Sequence, residues 1–411
     1  MINGISLFAN VGIGETYFKE KGINICVSNE LIEKRCDFYS HLYPESKMIC
    51  GDISNQDVFN ELVKEYKEND CDFLMSTPPC QGMSVAGKMD KNDPRNSLII
   101  YTVEFIKETR PSNIIIENVP QILKFSILVD DEEVKIVDYI HRELGALGYF
   151  INADVLDCAD YGTAQTRKRA IFLISHIRKW EFPKKMDKIS VRDVIGDLPS
   201  LESEEKSDIP WHYAKKHNKN HILWMKHTPT GQTAFDNEVY YPQKDGRRIK
   251  GYNTTYKRIE WDKPAPTITM CNGAVSSQNN VHPGRKLDDG TYSDARVLSI
   301  LEILRLSGLP DDWNIPNWAT DNFIRQVIGE AFPPKFSAKL IETMPKKEEN
   351  EKLKSKVKRL QDIATRTEAE KKVNELSDSL ADEIKKNGVL NEELNQLRIE
   401  NMRLKKKGGG W

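Results

Sequence analysis

The stretch Ile5-Ser6-Leu7-Phe8-Ala9-Asn10-Val11-Gly12-Ile13-Gly14 reads as a β-strand that runs straight into a glycine-containing turn. Such a strand-to-helix turn lets a ligand approach the backbone where helix amides point outward. The spacing is not Gly-x-Gly-x-x-Gly, so the dinucleotide fingerprint is not met. Working outward, Ile23–Val27, Phe73–Met75, Asn113–Ile116 and Ala170–Ile174 repeat the short β-branched run. Between them Asp57–Lys67, Leu98–Thr109 and Glu132–Leu147 carry helical spacing. This alternation predicts parallel strands with crossover helices. Strand runs without strict alternation predict a sheet buried on both faces.

The chain has 411 residues, 39% hydrophobic and 30% charged, a globular balance that suits two or three domains at roughly 150 residues each. Met1–Thr16 has no basic leader before an apolar stretch, and no run reaches the ~18 apolar residues of a membrane span. A cytoplasmic location with no membrane partner is therefore expected. The 7 cysteines are scattered without a Cys-x-x-Cys pair, which points neither to a disulfide framework nor to a cysteine zinc site. A net charge of −2 advertises no global affinity for nucleic acid.

Composition divides the chain into four stretches. Residues 1–177 hold the alternating strands and helices. Residues 178–294 collect prolines, glycines, aromatics and five of the 8 histidines, and periodicity fades, as in a loop-rich domain that carries recognition. Residues 295–345 regain helical character. Residues 346–411 hold no aromatic side chain before Trp411, so they read as a long charged helix. There Val373, Leu376, Leu380, Leu390, Leu394, Leu397 and Leu404 follow a three-four spacing, with Asn387 and Asn401 at one seam position. Through 346–407 the expectation is a coiled coil that dimerises or recruits another protein; a solvated charged helix is the plainer alternative. His217 and His221 lack an acid or cysteine partner in register, so a solvated pair is expected and no metal.

Glu30 follows the second strand and Asp52 the third. An acid after each of two successive strands suits an adenosyl ligand in the crevice at the sheet's carboxyl edge, although each acid alone is as readily a solvated carboxylate or a cap. Ser76-Thr77-Pro78-Pro79-Cys80-Gln81-Gly82-Met83-Ser84 follows the strand at Phe73–Met75. Its two prolines stop the strand and hold Cys80 in a loop above the sheet, where a thiol is placed to attack. Glu117, in Glu117-Asn118-Val119, puts a carboxyl on the same edge. Arg167 and Arg169 are two apart, so an extended segment turns both to one face.

In this order, Leu7–Gly12, Pro78–Gln81, Glu117–Val119, Gln165–Arg169, Glu302–Pro310 and Gly329–Pro334 resemble the DNA (cytosine-5) methyltransferase family over Met1 to about Met344. The resemblance implies a Rossmann-like α/β fold dependent on S-adenosyl-L-methionine, with a small target-recognition domain at 178–294. It implies that Cys80 adds to carbon-6 of a flipped cytosine and makes carbon-5 enamine-like. It gives Glu117 the ring nitrogen and amino group, Arg169 the carbonyl, and Arg167 a supporting place. Phe8, Gly12, Glu30, Leu31, Asp52, Ile53, Pro79 and Leu98 match cofactor-contacting positions. Gln81, Ser84, Lys88 and Arg95, in the loop that closes over the base, and Gln165 are expected at the DNA. Arg247, Arg248, Lys257 and Arg258, interleaved with Tyr252, Tyr256 and Trp261, suit phosphate and base-edge contacts.

The sequence departs from the family at four places. Asn10 and Ile13 stand where glycine is usual, and Glu330 and Phe332 replace the common asparagine and valine. The expected function is modification of duplex DNA at a short site, with a cognate restriction endonuclease as a further partner. Two alternatives stay open here: methylation of tRNA, whose enzymes carry a cysteine-phenylalanine-threonine signature absent from this chain, and a non-catalytic scaffold built around the tail.

Overall fold

The structure is a computed structural model that describes residues 1–79, 97–130, 132–347, 355–356, 376–383, 397 and 399–404. Its framework is a seven-stranded sheet. The chain enters through β1 (Ile2–Leu7), β2 (Ile23–Glu30), α1 (Glu33–Leu42), β3 (Lys47–Cys50), α2 (Gln56–Glu68), β4 (Phe73–Ser76), α3 (Leu98–Thr109) and β5 (Asn113–Asn118). A small hairpin, β6 (Ser126–Val129) with β7 (Glu132–Lys135), precedes α4 (Ile136–Gly145), β8 (Phe150–Asp157) and β9 (Lys168–Ser175). The spatial order is β3-β2-β1-β4-β5-β9-β8.

Side chains alternate between two cores. Leu74, Ile114, Ile116, Phe172 and Ile174 point into the cluster shared with α2, α3 and α4. Their neighbours Phe73, Met75, Ile115, Ile171 and Leu173 point the other way, onto Trp180, Phe336 and Leu340. Both faces are dry, as runs of Ile and Leu without polar alternation require. At ~1.5–3 kcal/mol for each buried side chain, these two layers are the main stabilising term of the framework.

Two expectations need correction, and one strand is additional to those expected. The first five strands in the chain pair in parallel, but the run at Ala170–Ile174 lies in β9, antiparallel to both β5 and β8. β8 matches none of the expected strand runs. It is an edge strand, and its Ile151, Ala153 and Val155 alternate with Asn152 and Asp154, a period-two signal diluted by partial exposure. Finally, the amphipathic stretch at Glu132–Leu147 begins as β7, and only Ile136–Gly145 is helical.

Beyond β9 come the short helices α5 (Val191–Ile195) and α6 (Lys219–Lys226) and a hairpin, β10 (Gln243–Lys244) with β11 (Arg247–Arg248). Val191, Ile195, Ile259, Trp261 and Ile268 join one cluster with Val11, Ile13 and the later helices α7 (Ile300–Ser307) and α8 (Asp321–Glu330). Hydrophobic contact therefore runs across the expected boundaries at 177 and 294. α7 is set by a capping box, Ser299 with Glu302, and ends at Gly308, whose φ of 84° suits glycine. The last globular helix is α9 (Pro334–Ile341). Among the described residues no helix is long and apolar enough to cross a membrane. Most of the expected coil lies outside the described residues; 376–383 and 399–404 are helical.

Candidate active site

Five strand ends converge on one edge. β1 leaves Leu7 and turns through Phe8 and Asn10, both in the left-handed region at φ 57° and 51°, and Gly12 at φ 76°. A Cβ on Gly12 would meet the Tyr43 ring at 2.3 Å, so glycine is needed there for space as well as conformation. Asparagine is among the few side chains that tolerate φ near 50°, which explains how Asn10 occupies a glycine position. Its side chain donates to the Val327 carbonyl at 3.3 Å.

Glu30 ends β2 and is buried. One carboxylate oxygen accepts the Asn10 amide at 2.9 Å, and the other accepts the amides of Leu31 and Ile32, each at 3.0 Å. The acid is thus locked by three backbone donors. Just beyond it Leu31 and Ile32 expose apolar surface, at 62% and 44%. Asp52, past β3, is exposed, and Ile53 beside it is buried. Phe8 and Leu98 pack together against the framework core.

At the end of β4, Thr77 donates its hydroxyl to the Phe8 carbonyl at 2.9 Å, and the Pro78 carbonyl accepts from Asn118 Nδ2 at 3.0 Å. These bonds tie the approach to Cys80 both to the cofactor turn and to the residue after Glu117. Pro79 is the last described residue before the loop. Cys80, Gln81, Ser84, Lys88 and Arg95 lie outside the described residues.

Glu117 and Arg169 meet through strand geometry. Glu117 faces Ile171 across the β5/β9 pair, so Arg169, two residues earlier, is its diagonal neighbour on the same side. Arg169 Nε lies 2.7 Å from Glu117 Oε1, and the two side chains keep 14% and 11% of their surface exposed. Burial pushes the Glu117 carboxyl above the usual range, and Arg169 and then Arg167 pull it back only in part. Arg167 sits behind them, its guanidinium donating to the carbonyls of Ile268 and Gly329 at 3.0 Å each. It anchors the strap at 268 and the end of α8 to the acid's surroundings.

Two residues expected on DNA are committed elsewhere. Gln165 is buried, its Oε1 accepting the Ile268 amide at 3.0 Å and its Nε2 facing Ser307 at 3.4 Å. Arg258 is fully buried, donating to the carbonyls of Met225, His282, Ser293 and Asp294. Neither presents a polar group to solvent, so both fasten loops internally. Arg248 is pinned to the carbonyls of Phe235 and Asn237 and lies 3.7 Å over the Tyr241 ring. Arg247, on the same hairpin, is exposed, and Lys257 is half-buried. Trp261 is also buried, between the guanidinium groups of Arg192 and Arg285.

The histidine pair is half-buried rather than fully solvated. His217 Nε2 accepts the Val297 amide at 3.2 Å, and burial takes its pKa down to about 4. His221 packs on Trp224 and Tyr256. A group missed in the sequence is the buried set Arg296, Asp294 and Glu302: the guanidinium is 2.8 Å from each carboxylate. Only the capping-box spacing at Ser299 and Glu302 hinted at it.

Residues 2–346 match the family described as C-5 cytosine-specific DNA methylase. The chain is 51% identical over 340 residues to the Type II methyltransferase M1.HgaI of Avibacterium volantium, covering 81% of this chain and 95% of that protein. It is 28% identical to the Type II methyltransferase M1.HphI of Haemophilus parahaemolyticus, over 84% and 87% of the two chains. Among solved structures, the Entamoeba histolytica methyltransferase EhMeth superposes with a TM-score of 0.58 at 16% identity, over 84% of this chain and 97% of that one. The S. pombe Dnmt2 methyltransferase does so at 0.56 and 14%, over 83% and 97%. These two establish likeness of fold.

Proposed function

The chain belongs to the C-5 cytosine-specific DNA methylase family, and from that premise we propose how its residues divide the reaction. The enzyme is a DNA (cytosine-5) methyltransferase that uses S-adenosyl-L-methionine; neither the tRNA nor the scaffold alternative is favoured. In our reading Cys80 is the nucleophile, Glu117 and Arg169 hold the flipped base, and Arg167 supports them. The observation that carries this reading is the buried Glu117–Arg169 pair beside the strand end that leads into Pro79.

The crevice suits the methyl donor. Leu31 and Ile32 offer an apolar face, Glu30 and Asp52 supply acids on either side, and Gly12 keeps the turn clear of side chains. Bound there, the donor supplies an electrophilic methyl group. Carbon-5 of cytosine is too weak a nucleophile to take it unaided. The Cys80 thiol loses its proton to solvent and its Sγ adds to carbon-6, so the carbon-5–carbon-6 double bond opens and its electron pair is shared between carbon-5 and the ring. Charge accumulates at ring nitrogen 3, where Glu117 in its protonated form donates. A carboxyl kept above its ordinary range by burial suits that task. Arg169 is then free to turn from Glu117 to the base carbonyl. After methylation, loss of the carbon-5 proton to a base restores the ring and expels Cys80.

The covalent step is tested with duplex DNA carrying 5-fluorocytosine at the target, because fluorine cannot leave as a proton. With donor present, a protein–DNA adduct stable to denaturant is expected, and absent for Cys80→Ala. Free DNA after denaturation, with methylation of ordinary duplex intact, would overturn the covalent route.

We extend the proposal to a modification enzyme acting in the cytoplasm beside a cognate restriction endonuclease, in line with relatives that are themselves Type II methyltransferases. The charged tail is proposed as an accessory coiled coil.

A further inference from the structure

We infer that Arg35 and Glu330 are positioning residues for the methyl donor: their ion pair closes a ring of contacts that fixes Glu30. The inference rests on the reading above in which Glu30 lines the crevice of the methyl donor, and it gives that acid the hydroxyls of the donor's ribose. The ring passes from Asn10 to Glu30, along the chain to Arg35, across to Glu330, back one turn of α8 to Val327, and returns to Asn10. Each link is short. The Asn10 amide reaches Glu30 at 2.9 Å, and the amides of Leu31 and Ile32 reach it at 3.0 Å. The Arg35 amide donates back to Ile32 at 2.7 Å, in the first turn of α1. Arg35 Nη2 lies 2.5 Å from Glu330 Oε2, whose other oxygen faces Gln326 Nε2 at 3.4 Å. The Val327 carbonyl takes Asn10 Nδ2 at 3.3 Å.

Three segments far apart in sequence are joined in this way: the turn after β1, the start of α1 and the end of α8. Glu30 has its oxygens set by backbone amides of two of them, so its aim follows wherever those segments sit. Asn10 is held at φ 51°, a conformation that persists when its surroundings over-determine it. The bond to Val327 does part of that work, and Val327 is held in turn through Glu330. The ion pair is largely desolvated, with side chains 12% and 21% exposed. The Arg35 Nε is buried and finds no acceptor among the described residues. Removing the Glu330 carboxylate leaves a mostly buried cation without its counter-charge. The relief available to it is an outward shift of the first turn of α1. That shift carries Ile32, Leu31 and hence Glu30 out of register with the donor.

The test uses the full chain. Affinity for S-adenosyl-L-methionine is measured by isothermal titration without DNA, and kcat and donor KM by methylation of duplex. Glu330→Gln and Arg35→Met are each expected to raise Kd and KM by about five- to twentyfold, with kcat at saturating donor within about twofold. Arg35→Lys, which keeps the charge but loses the planar fork, should fall between them and the parent. The exchanged pair, Arg35→Glu with Glu330→Arg, should recover most of the affinity. Unchanged Kd in both single variants overturns the inference, as does an exchanged pair no better than the singles. Glu30→Ala separates the two levels. If it binds donor as tightly as the parent, the assigned ribose site is wrong. If it loses binding while the Arg35 and Glu330 variants keep theirs, only the ring is wrong.

Discussion

Glu117 carries two opposed influences, burial that favours its neutral form and two guanidinium groups that favour its charge. Burial is the larger, so the carboxyl keeps its proton to higher pH than a surface glutamate would. The sign of its effect on activity follows. The protonated form is full at low pH and is lost as pH rises through the elevated value, so kcat should decline along that limb. Glu117→Gln can still bridge nitrogen 3 and the amino group but cannot pass a proton. We expect kcat to fall about 10²–10³-fold, DNA affinity to stay within a few-fold, and the pH limb to vanish; pre-steady-state methyl transfer followed from the ordinary carboxylate range upward in pH is the measurement. At this scale the sequence placed Glu117 and Arg169 on one sheet edge, and the structure brings the two side chains together; Cys80 lies outside the described residues. The sequence misled for Gln165 and Arg258, because an arginine letter looks the same on a phosphate-binding face as inside a cage of four carbonyls. Only burial distinguishes them, and burial belongs to the fold.

The β10/β11 hairpin shows what an element adds to its letters. Asp245 and Gly246, at φ 50° and 71°, make a two-residue turn with both centres left-handed. The turn places Lys244 opposite Arg247 and Gln243 opposite Arg248. Arg248 is stacked on Tyr241 and bonded to loop carbonyls, so it supports the hairpin from below. Arg247 remains exposed. If the hairpin meets DNA, Arg247→Ala weakens binding and reduces the slope of log affinity against log salt by about 1. Arg248→Ala should instead loosen the hairpin, seen as faster proteolysis near residue 245, before any change in that slope; filter binding at several salt concentrations with limited proteolysis distinguishes the two. Strand identity was legible from β-branched runs, whereas strand direction was not. Hydrophobic periodicity is the same for either sense, so the reversal of β9 became visible only from pairing.

Across the whole molecule, the last globular segment closes what the first begins. The Ser337 hydroxyl donates to the Gly14 carbonyl, the Phe332 ring packs near Gly14, and the Glu330 carboxylate reaches Arg35. The four family departures fall along this junction: Asn10 bonds the Val327 carbonyl, Ile13 joins the cluster of α8, Glu330 pairs with Arg35 and Phe332 lies near Gly14. The sequence named the positions but not their adjacency, which spans some three hundred residues of chain. Among the described residues, none past Pro345 belongs to a core cluster. A chain ending at Lys347 should therefore methylate duplex DNA within about twofold of the full chain, by tritium incorporation. Light scattering on both forms reports whether residues 348–411 hold copies together.

The exit of that tail has a directional meaning. Pro345 accepts from Asn113, at the beginning of β5, and Lys347 pairs with Asp72, just before β4. Both anchors stand on the rim from which the parallel strands start, whereas the site proposed for cytosine lies at the rim where they finish. Cargo fused behind Lys347 would trail from the back of the enzyme like a tow-line, leaving the front clear for the double helix.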